Sequence, residues 1–438
     1  MEATDSFILV AALAVAVQAA AHRLGGTRRL IGDEVEYLER ARADDPYHPE
    51  PFLRLPGMAL LLRTSGGNEA CARALMAGLA LATTGLVVLA GYQAMGSRGA
   101  LLTGVLFTLL PDRSALSQHL WPDVLLALWQ ALGLVVLTGA SPGAPAPAWQ
   151  IGIVAALAAM TRIDGLTLLP ALALASAWAS GPPGPGQFVA LLLPTLVAMG
   201  VWAARNRVRY GSASLDSTAA FNLEVLAEEQ RSGAAGSRPV EEIVLAVFHR
   251  RDDTRHRAGR AGGGRTLRDL LRRPGLWLHG CLRRAAQLLG PDTFVAERLL
   301  DPTNGAYPEL SARGRAFLAR SLGPGFRVLV ALALAGAVTR PELRCLLVPV
   351  AFGLVAASVV HTRTRYRYPL LPGTSLVAAA GCLALLDPGT RGVAATVVAV
   401  AGLLLAAAPS RPEVVAEPRS APLWLDPDPP PSAPSPMV

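Results

Sequence analysis

Eleven apolar blocks constrain this chain more than any other feature of its sequence. They lie near residues 6–22, 70–91, 99–111, 117–138, 149–161, 165–180, 187–204, 325–338, 343–360, 368–386 and 392–409. The apolar core of a bilayer asks for roughly 17–25 such residues per helical crossing. Half of the chain is apolar (52%) and only 16% is charged, and the apolar residues come in blocks rather than in stripes. The expected fold is an all-α, polytopic membrane helix bundle of about eleven spans, the third, fifth and eighth of them short. Pro111, Pro122, Pro170 and Pro194 mark starts, ends or kinks of its helices.

Span parity then sorts the connections. Residues 23–69, 112–116, 161–164, 205–324 and 361–367 fall on one side of the membrane. The other side receives only short links, near 92–98, 139–148, 181–186, 339–342 and 387–391. Nearly every polar residue with chemical capacity therefore lies on one face. Its arginine content would put that face in the cytoplasm by the positive-inside rule, but long loops translocate largely regardless of charge. Residues 1–409 read as one membrane domain, with a first loop at 23–69 and a large loop at 205–324. Within the large loop, 266–290 carries apolar residues at helical spacing among arginine pairs. Pro274-Gly275 divides two helices there, suited either to the headgroup layer or to the loop's own core. Residues 250–265 are rich in arginine and glycine, and the tail 410–438 is Pro-rich and expected to be disordered. Met1 to Asp5 lacks the basic start of a signal peptide, so the first span is expected to be uncleaved.

Several chemistries are disfavoured. All forty basic residues are arginine, interleaved with the spans rather than gathered in one basic domain, which argues against nucleic acid. Cys71, Cys281, Cys345 and Cys382 form no CxxC pair, so neither a zinc site nor a disulfide framework is indicated. Gly262-Gly263-Gly264 follows no strand and makes no phosphate loop.

What remains is acid near one span and arginine near another. Asp33-Glu34 is either a catalytic carboxylate pair or the acidic start of a helix. His48 is either a contact to phosphate or acceptor or a solvated loop residue. His119-Leu120-Trp121-Pro122-Asp123 opens the fourth span, where Asp123 is either functional or an ordinary helix-start acid. Arg162 and Asp164 can pair locally between two short spans, and Arg205-Asn206 ends the seventh. Arg363, Arg365 and Arg367, with Tyr366 and Tyr368, could hold a leaving phosphate or bind anionic headgroups.

Taken in order, these segments resemble the C-type superfamily of integral membrane glycosyltransferases, in particular its family 39, protein-mannosyltransferase-like branch. The resemblance runs from about residue 1 to 385. It is carried by Asp33-Glu34, His48-Pro49, Arg54-Leu55-Pro56-Gly57, Asp123 and Thr161-Arg162-Ile163-Asp164-Gly165-Leu166. Arg205-Asn206 with Gly211, Leu270-Leu271-Arg272-Arg273-Pro274 and Arg365-Tyr366-Arg367-Tyr368-Pro369-Leu370-Leu371-Pro372 complete it. Ile163-Asp164 stands where that branch commonly has Pro-Glu, and Glu50-Pro51 where a second proline is common.

The resemblance implies an extracytoplasmic active face, a polyprenyl-phosphate-linked sugar donor, and transfer with inversion to an acceptor hydroxyl on a glycan, lipid or protein. Asp33 would be the general base, with Glu34 and His48 positioning acceptor or phosphate and Asp123 alongside. Arg365 with Tyr366, and Arg162 or Arg205, would hold the lipid phosphate. No cofactor is implied and no metal is demanded, although some relatives bind a divalent ion. Two rivals stand beside it: a secondary transporter or lipid flippase, and a non-catalytic scaffold of the same fold. A transporter should show internal repeats or midplane charges. The charges here sit at span ends.

Overall fold

The computed structural model describes residues 3–25, 30, 33–48, 53–140, 146–231, 246–247, 272, 274–290, 311–359 and 364–407. The expectations for 250–265, for 410–438, for Pro49-Glu50-Pro51, for Leu270-Leu271 and for Arg363 lie outside these residues. Among the described residues the chain is helical and contains no strand.

Among the described residues every expected apolar block falls largely on a helix. α1 (Ala3–Gly25) crosses first. On the polar side two short helices follow, α2 (Asp33–Arg42) and α3 (Pro56–Arg63). The second and third blocks form α4 (Glu69–Leu109), 41 residues in all. A straight helix of that length would run about 60 Å, twice the bilayer core. Gly96 breaks it, with φ 68° and ψ −163°, a backbone state open to glycine and costly for other residues. A Cβ on Gly91 would meet Thr103, and one on Gly104 would meet Val88, so the two halves run antiparallel and pack face to face. Two crossings result.

α5 (Pro111–Leu116) is a single turn and a half. α6 (Pro122–Thr138) begins later than the 117 expected, because the polar stretch Ser117 to Leu120 forms a turn and Pro122 supplies the first helical position. α7 (Ala148–Thr161), a 3-10 turn (Ile163–Thr167), α8 (Leu168–Ser180) and α9 (Pro185–Tyr210) continue the bundle. The large loop carries α10 (Thr218–Arg231) and α11 (Pro274–Leu289). α12 (Ala312–Thr339) extends well before the apolar block, since Ala, Arg and Leu at its start are strong helix formers. A 3-10 turn (Pro341–Leu347), α13 (Val348–Val359), a second such turn (Thr364–Leu370), α14 (Leu371–Leu386) and α15 (Arg391–Ala407) close the chain.

α14 lies at the centre, packed against α12, α4 and α6, and is the most enclosed of the long apolar helices. α1 and α9 are peripheral and turn leucines and valines outward, as lipid-facing helices do. α12 and α14 cross at Gly336 and Gly381. A Cβ on Gly336 would collide with the Val377 carbonyl, and one on Gly381 with that of Leu332. Small residues at such a crossing let two membrane helices touch backbone to backbone.

Candidate functional site

α2 begins at Asp33, and helical geometry decides what its acids do. Asp33 and Glu36 are three residues apart and lie on one face, while Glu34 is rotated about 100° away. One guanidinium serves the first face. Arg54 Nη2 donates to Asp33 Oδ1 at 3.1 Å and to Glu36 Oε2 at 2.7 Å, and its Nε donates to Glu36 Oε1 at 3.1 Å. Arg40 donates to Glu36 Oε1 as well, at 2.9 Å. Its Nη1 also holds the carbonyl of His48 at 2.7 Å, so the fold grips His48 through its backbone.

Glu34 points the other way and is fully buried. It accepts the Leu120 N–H at 2.9 Å and lies 3.2 Å from Nδ1 of His119. The two adjacent acids therefore divide. Asp33 stays at the polar opening, and Glu34 ties α2 to the turn before α6.

From the far end of the sequence, Arg365 Nη2 donates to Asp33 Oδ2 at 3.2 Å. Both oxygens of Asp33 thus accept from guanidiniums. Burial pushes the Asp33 carboxyl up, but Arg54 and Arg365 outweigh it and hold the group at about 2. The Arg365 guanidinium stands over the Trp121 ring at 4.7 Å and the Tyr366 ring at 5.2 Å. Tyr366 also faces Arg162, at 4.8 Å. Beside Asp33, burial lifts the Tyr37 hydroxyl to about 12 despite Arg54 nearby, so it stays protonated at neutral pH.

Arg162 is engaged on three nitrogens. Nη1 donates to Asp123 Oδ1 at 3.0 Å, and Nε and Nη2 form a bidentate pair with Asp164 at 2.9 and 3.1 Å. It pins the 163–167 turn to the start of α6. Four carboxylates (Asp33, Glu36, Asp123 and Asp164) and four guanidiniums (Arg40, Arg54, Arg162 and Arg365) make up the cluster. Its formal charge balances.

Arg205 belongs elsewhere. It donates to Asp45 Oδ1 at 3.1 Å and stands over the rings of Tyr47, Trp202 and Tyr210 at 4.7, 5.0 and 5.2 Å. The Tyr210 hydroxyl donates to the Tyr47 carbonyl at 2.7 Å. This second cluster fastens the end of α9 to the first loop.

Arg367, two residues from Arg365, turns inward. It is fully buried, donates to Asp112 Oδ2 at 2.6 Å, and holds the Gly290 carbonyl at the end of α11 at 2.9 Å. Arg365 and Arg367 therefore do not point into one common cradle, and Arg363, the third of the expected trio, lies outside the described residues. Arg367 locks the large loop; Arg365 serves the site.

Next to the cluster lies a small, partly open cleft between α6, the 163–167 turn, α13 and the 364–370 turn. Asp164, Gln130 and Tyr366 supply its polar edge, and Leu126, Pro349 and Gly353 its apolar walls. Among the described residues no group of three or more His, Cys, Asp or Glu side chains could hold a metal ion.

The structure thus joins Asp33, Asp123, Arg162, Arg365 and Tyr366, all singled out from sequence. It leaves His48 and Arg205 in neighbouring contacts and buries Glu34 behind them. Arg54, Glu36 and Trp121 are site residues that sequence reasoning did not assign. The spacing of Asp33 and Glu36 on one helix face was a usable sign that a cation would bridge them. Nothing comparable marks Trp121 as the platform for an arginine 244 residues away.

No protein-family model matches the chain, and no curated protein matches it. Among solved structures, ArnT from Cupriavidus metallidurans bound to undecaprenyl phosphate is 17% identical, covering 91% of this chain and 64% of its own, with TM-score 0.43. The Archaeoglobus fulgidus oligosaccharyltransferase in its apo form is 16% identical, covering 93% of this chain and 54% of its own, with TM-score 0.43. The chain spans less than two thirds of the length of either.

Proposed function

We propose that this protein is an integral membrane glycosyltransferase working at its extracytoplasmic face. Its donor is a sugar linked to a polyprenyl phosphate, and its acceptor is a hydroxyl group. The observation that carries this reading is the contact of Asp33 with Arg365, a carboxylate and a guanidinium from opposite ends of the chain, beside an apolar-walled cleft. The guanidinium suits the phosphate of such a lipid, and the apolar wall beside it suits a hydrocarbon chain lying along it.

In this mechanism the donor phosphate displaces Asp33 from Arg365, which stays in place. Asp33 then keeps Arg54 but loses one of the two cations that depress its basicity, and becomes able to accept a proton. The acceptor hydroxyl attacks the anomeric carbon, and its proton passes to a carboxylate oxygen of Asp33. The bond from the anomeric carbon to the phosphate oxygen breaks, its electron pair stays on that oxygen, and the configuration inverts. The phosphate gains one negative charge as Asp33 loses one. Arg365 exchanges a carboxylate partner for a phosphate, and the transfer step leaves the total charge of site and donor unchanged. A fixed donor aimed where charge develops is worth more than one that must reorganise.

Arg162 and Asp123 keep the wall of this site in place, and Tyr366 separates two guanidiniums that would otherwise repel. The test is reconstitution of the purified chain in liposomes with a panel of radiolabelled polyprenyl-phosphate sugars. Transfer of label to an acceptor, with release of polyprenyl phosphate, is the expected result. Movement of the intact donor across the bilayer without release would instead mark a flippase.

A further inference from the structure

Arg365 must do two things that conflict. It must stay in place while its carboxylate partner lets go, and it must leave its N–H groups for an incoming phosphate. A guanidinium held wholly by acids cannot do both, since each acid competes with the phosphate for the same protons. An aromatic ring can support a guanidinium through its flat face and leave the N–H edge available.

Trp121 is placed for that task. Arg365 stands 4.7 Å over its ring. The ring is itself fixed: the His119 imidazole stacks on it with centroids 3.9 Å apart and planes 3° apart. Glu34 fixes the turn that carries both, through the Leu120 N–H at 2.9 Å and His119 Nδ1 at 3.2 Å. All four of Glu34, His119, Leu120 and Trp121 are buried, so none of them meets a ligand in this state. Asp33 and Glu34, adjacent in sequence, therefore act on Arg365 by separate routes. Asp33 holds its edge directly, and Glu34 supports its plane through the stacked pair.

We propose that Trp121, secured by His119 and Glu34, is a positioning residue that keeps Arg365 aimed at the donor phosphate once Asp33 releases it. This rests on the reading that Arg365 takes that phosphate. A cation–aromatic contact of this kind corresponds to about two- to thirtyfold in an equilibrium or a rate.

The experiment is a double-mutant cycle in the purified, reconstituted chain. Binding of polyprenyl phosphate alone and sugar transfer are both measured for Trp121→Ala, Trp121→Phe, Arg365→Ala and Trp121→Ala/Arg365→Ala. The expected result is weaker lipid-phosphate binding and slower turnover for Trp121→Ala, with rescue by Trp121→Phe. In the Arg365→Ala background, Trp121→Ala should add no further loss. Losses that multiply in the double variant, or a Trp121→Ala protein that binds and turns over normally, would overturn the proposal. If Trp121→Ala does not fold, His119→Ala removes the stacking support and runs the same cycle. A wild-type chain that binds no polyprenyl phosphate would refute the functional reading itself, a different outcome from a wild-type chain that binds it with no coupling between Trp121 and Arg365.

Discussion

Arg365 and Asp33, 332 residues apart in the chain, meet through one hydrogen bond of 3.2 Å from Nη2 to Oδ2. That contact fixes the topology as well as the site. The first loop and the turn before α14 lie on the same side of the bundle, as the parity of the apolar blocks requires.

Replacing Asp33 with Asn keeps the shape of the side chain and removes the proton acceptor. Turnover should fall by ~10²–10⁴, the usual cost of losing a general base. Donor binding should survive, because Arg365 is released rather than removed. Single-turnover transfer and equilibrium binding of polyprenyl phosphate, measured on the same preparation, separate the two effects.

The pH dependence follows from the same pair. Asp33 sits at about 2 without donor, below its ordinary 3.8. A depressed carboxylate contributes stability that is present above the unfolded value and is lost as pH falls through the folded one. The difference in unfolding midpoint between wild type and Asp33→Asn should therefore hold down to about pH 4 and shrink toward pH 2. In activity, donor binding removes one depressing cation. The acid limb of kcat should thus lie at higher pH than that of kcat/KM, which reports the free enzyme. Coincident limbs would mean that Asp33 and Arg365 never part.

Arg365→Lys should be impaired in donor affinity and in turnover, and Arg365→Ala more so. Lysine restores the charge but not the flat fork that stacks on rings and chelates a phosphate. Arg340→Ala is the comparison. Arg340 is exposed, pairs with Glu342 at 3.6 Å on the opposite side of the bundle, and should be nearly silent. Equal loss in both variants would point to a general charge effect.

Arg367 should behave differently from its neighbour. Its pair with Asp112 is almost completely buried, and breaking such a pair typically costs ~3–5 kcal/mol. Arg367→Ala is therefore expected to lower resistance to SDS unfolding in mixed micelles. In the fraction that remains folded, donor affinity should be close to wild type.

The working face has a direct test. With the native cysteines replaced, Asp44→Cys in the first loop should react with a membrane-impermeant maleimide in intact cells, and Arg340→Cys only after permeabilisation. Both side chains are exposed, so access is not limited by the protein. The reverse pattern would put the site in the cytoplasm.

The membrane fold was legible because hydrocarbon imposes length and polarity on each segment independently of its neighbours. Even the break in α4 falls where two expected blocks were separated, at Gly96. The site was legible only in part. Asp33, Asp123, Arg162 and Arg365 could be selected by residue type at span ends. Glu34 could not be assigned, because the orientation of one helix decides whether an acid at its start faces the opening or the interior. Arg365 and Arg367 are alike in the sequence and opposite in the fold, since their roles depend on partners in α2, α5 and α11. Arg205 was a fair choice by type, yet the aromatic residues around it come from two separate stretches of chain, the first loop and α9.

The crossing of α12 and α14 at Gly336 and Gly381 has a consequence for how the protein moves. Backbone resting on backbone leaves no side chain between the helices to repack, so the two can neither slide nor rotate past one another without parting. α14 follows directly from the turn that carries Arg365. In the proposed mechanism that arginine is thus mounted on a fixed pair of helices, and the movement that admits a donor falls to the first loop. In that mechanism Asp33 approaches and withdraws, and Arg365 is the anvil.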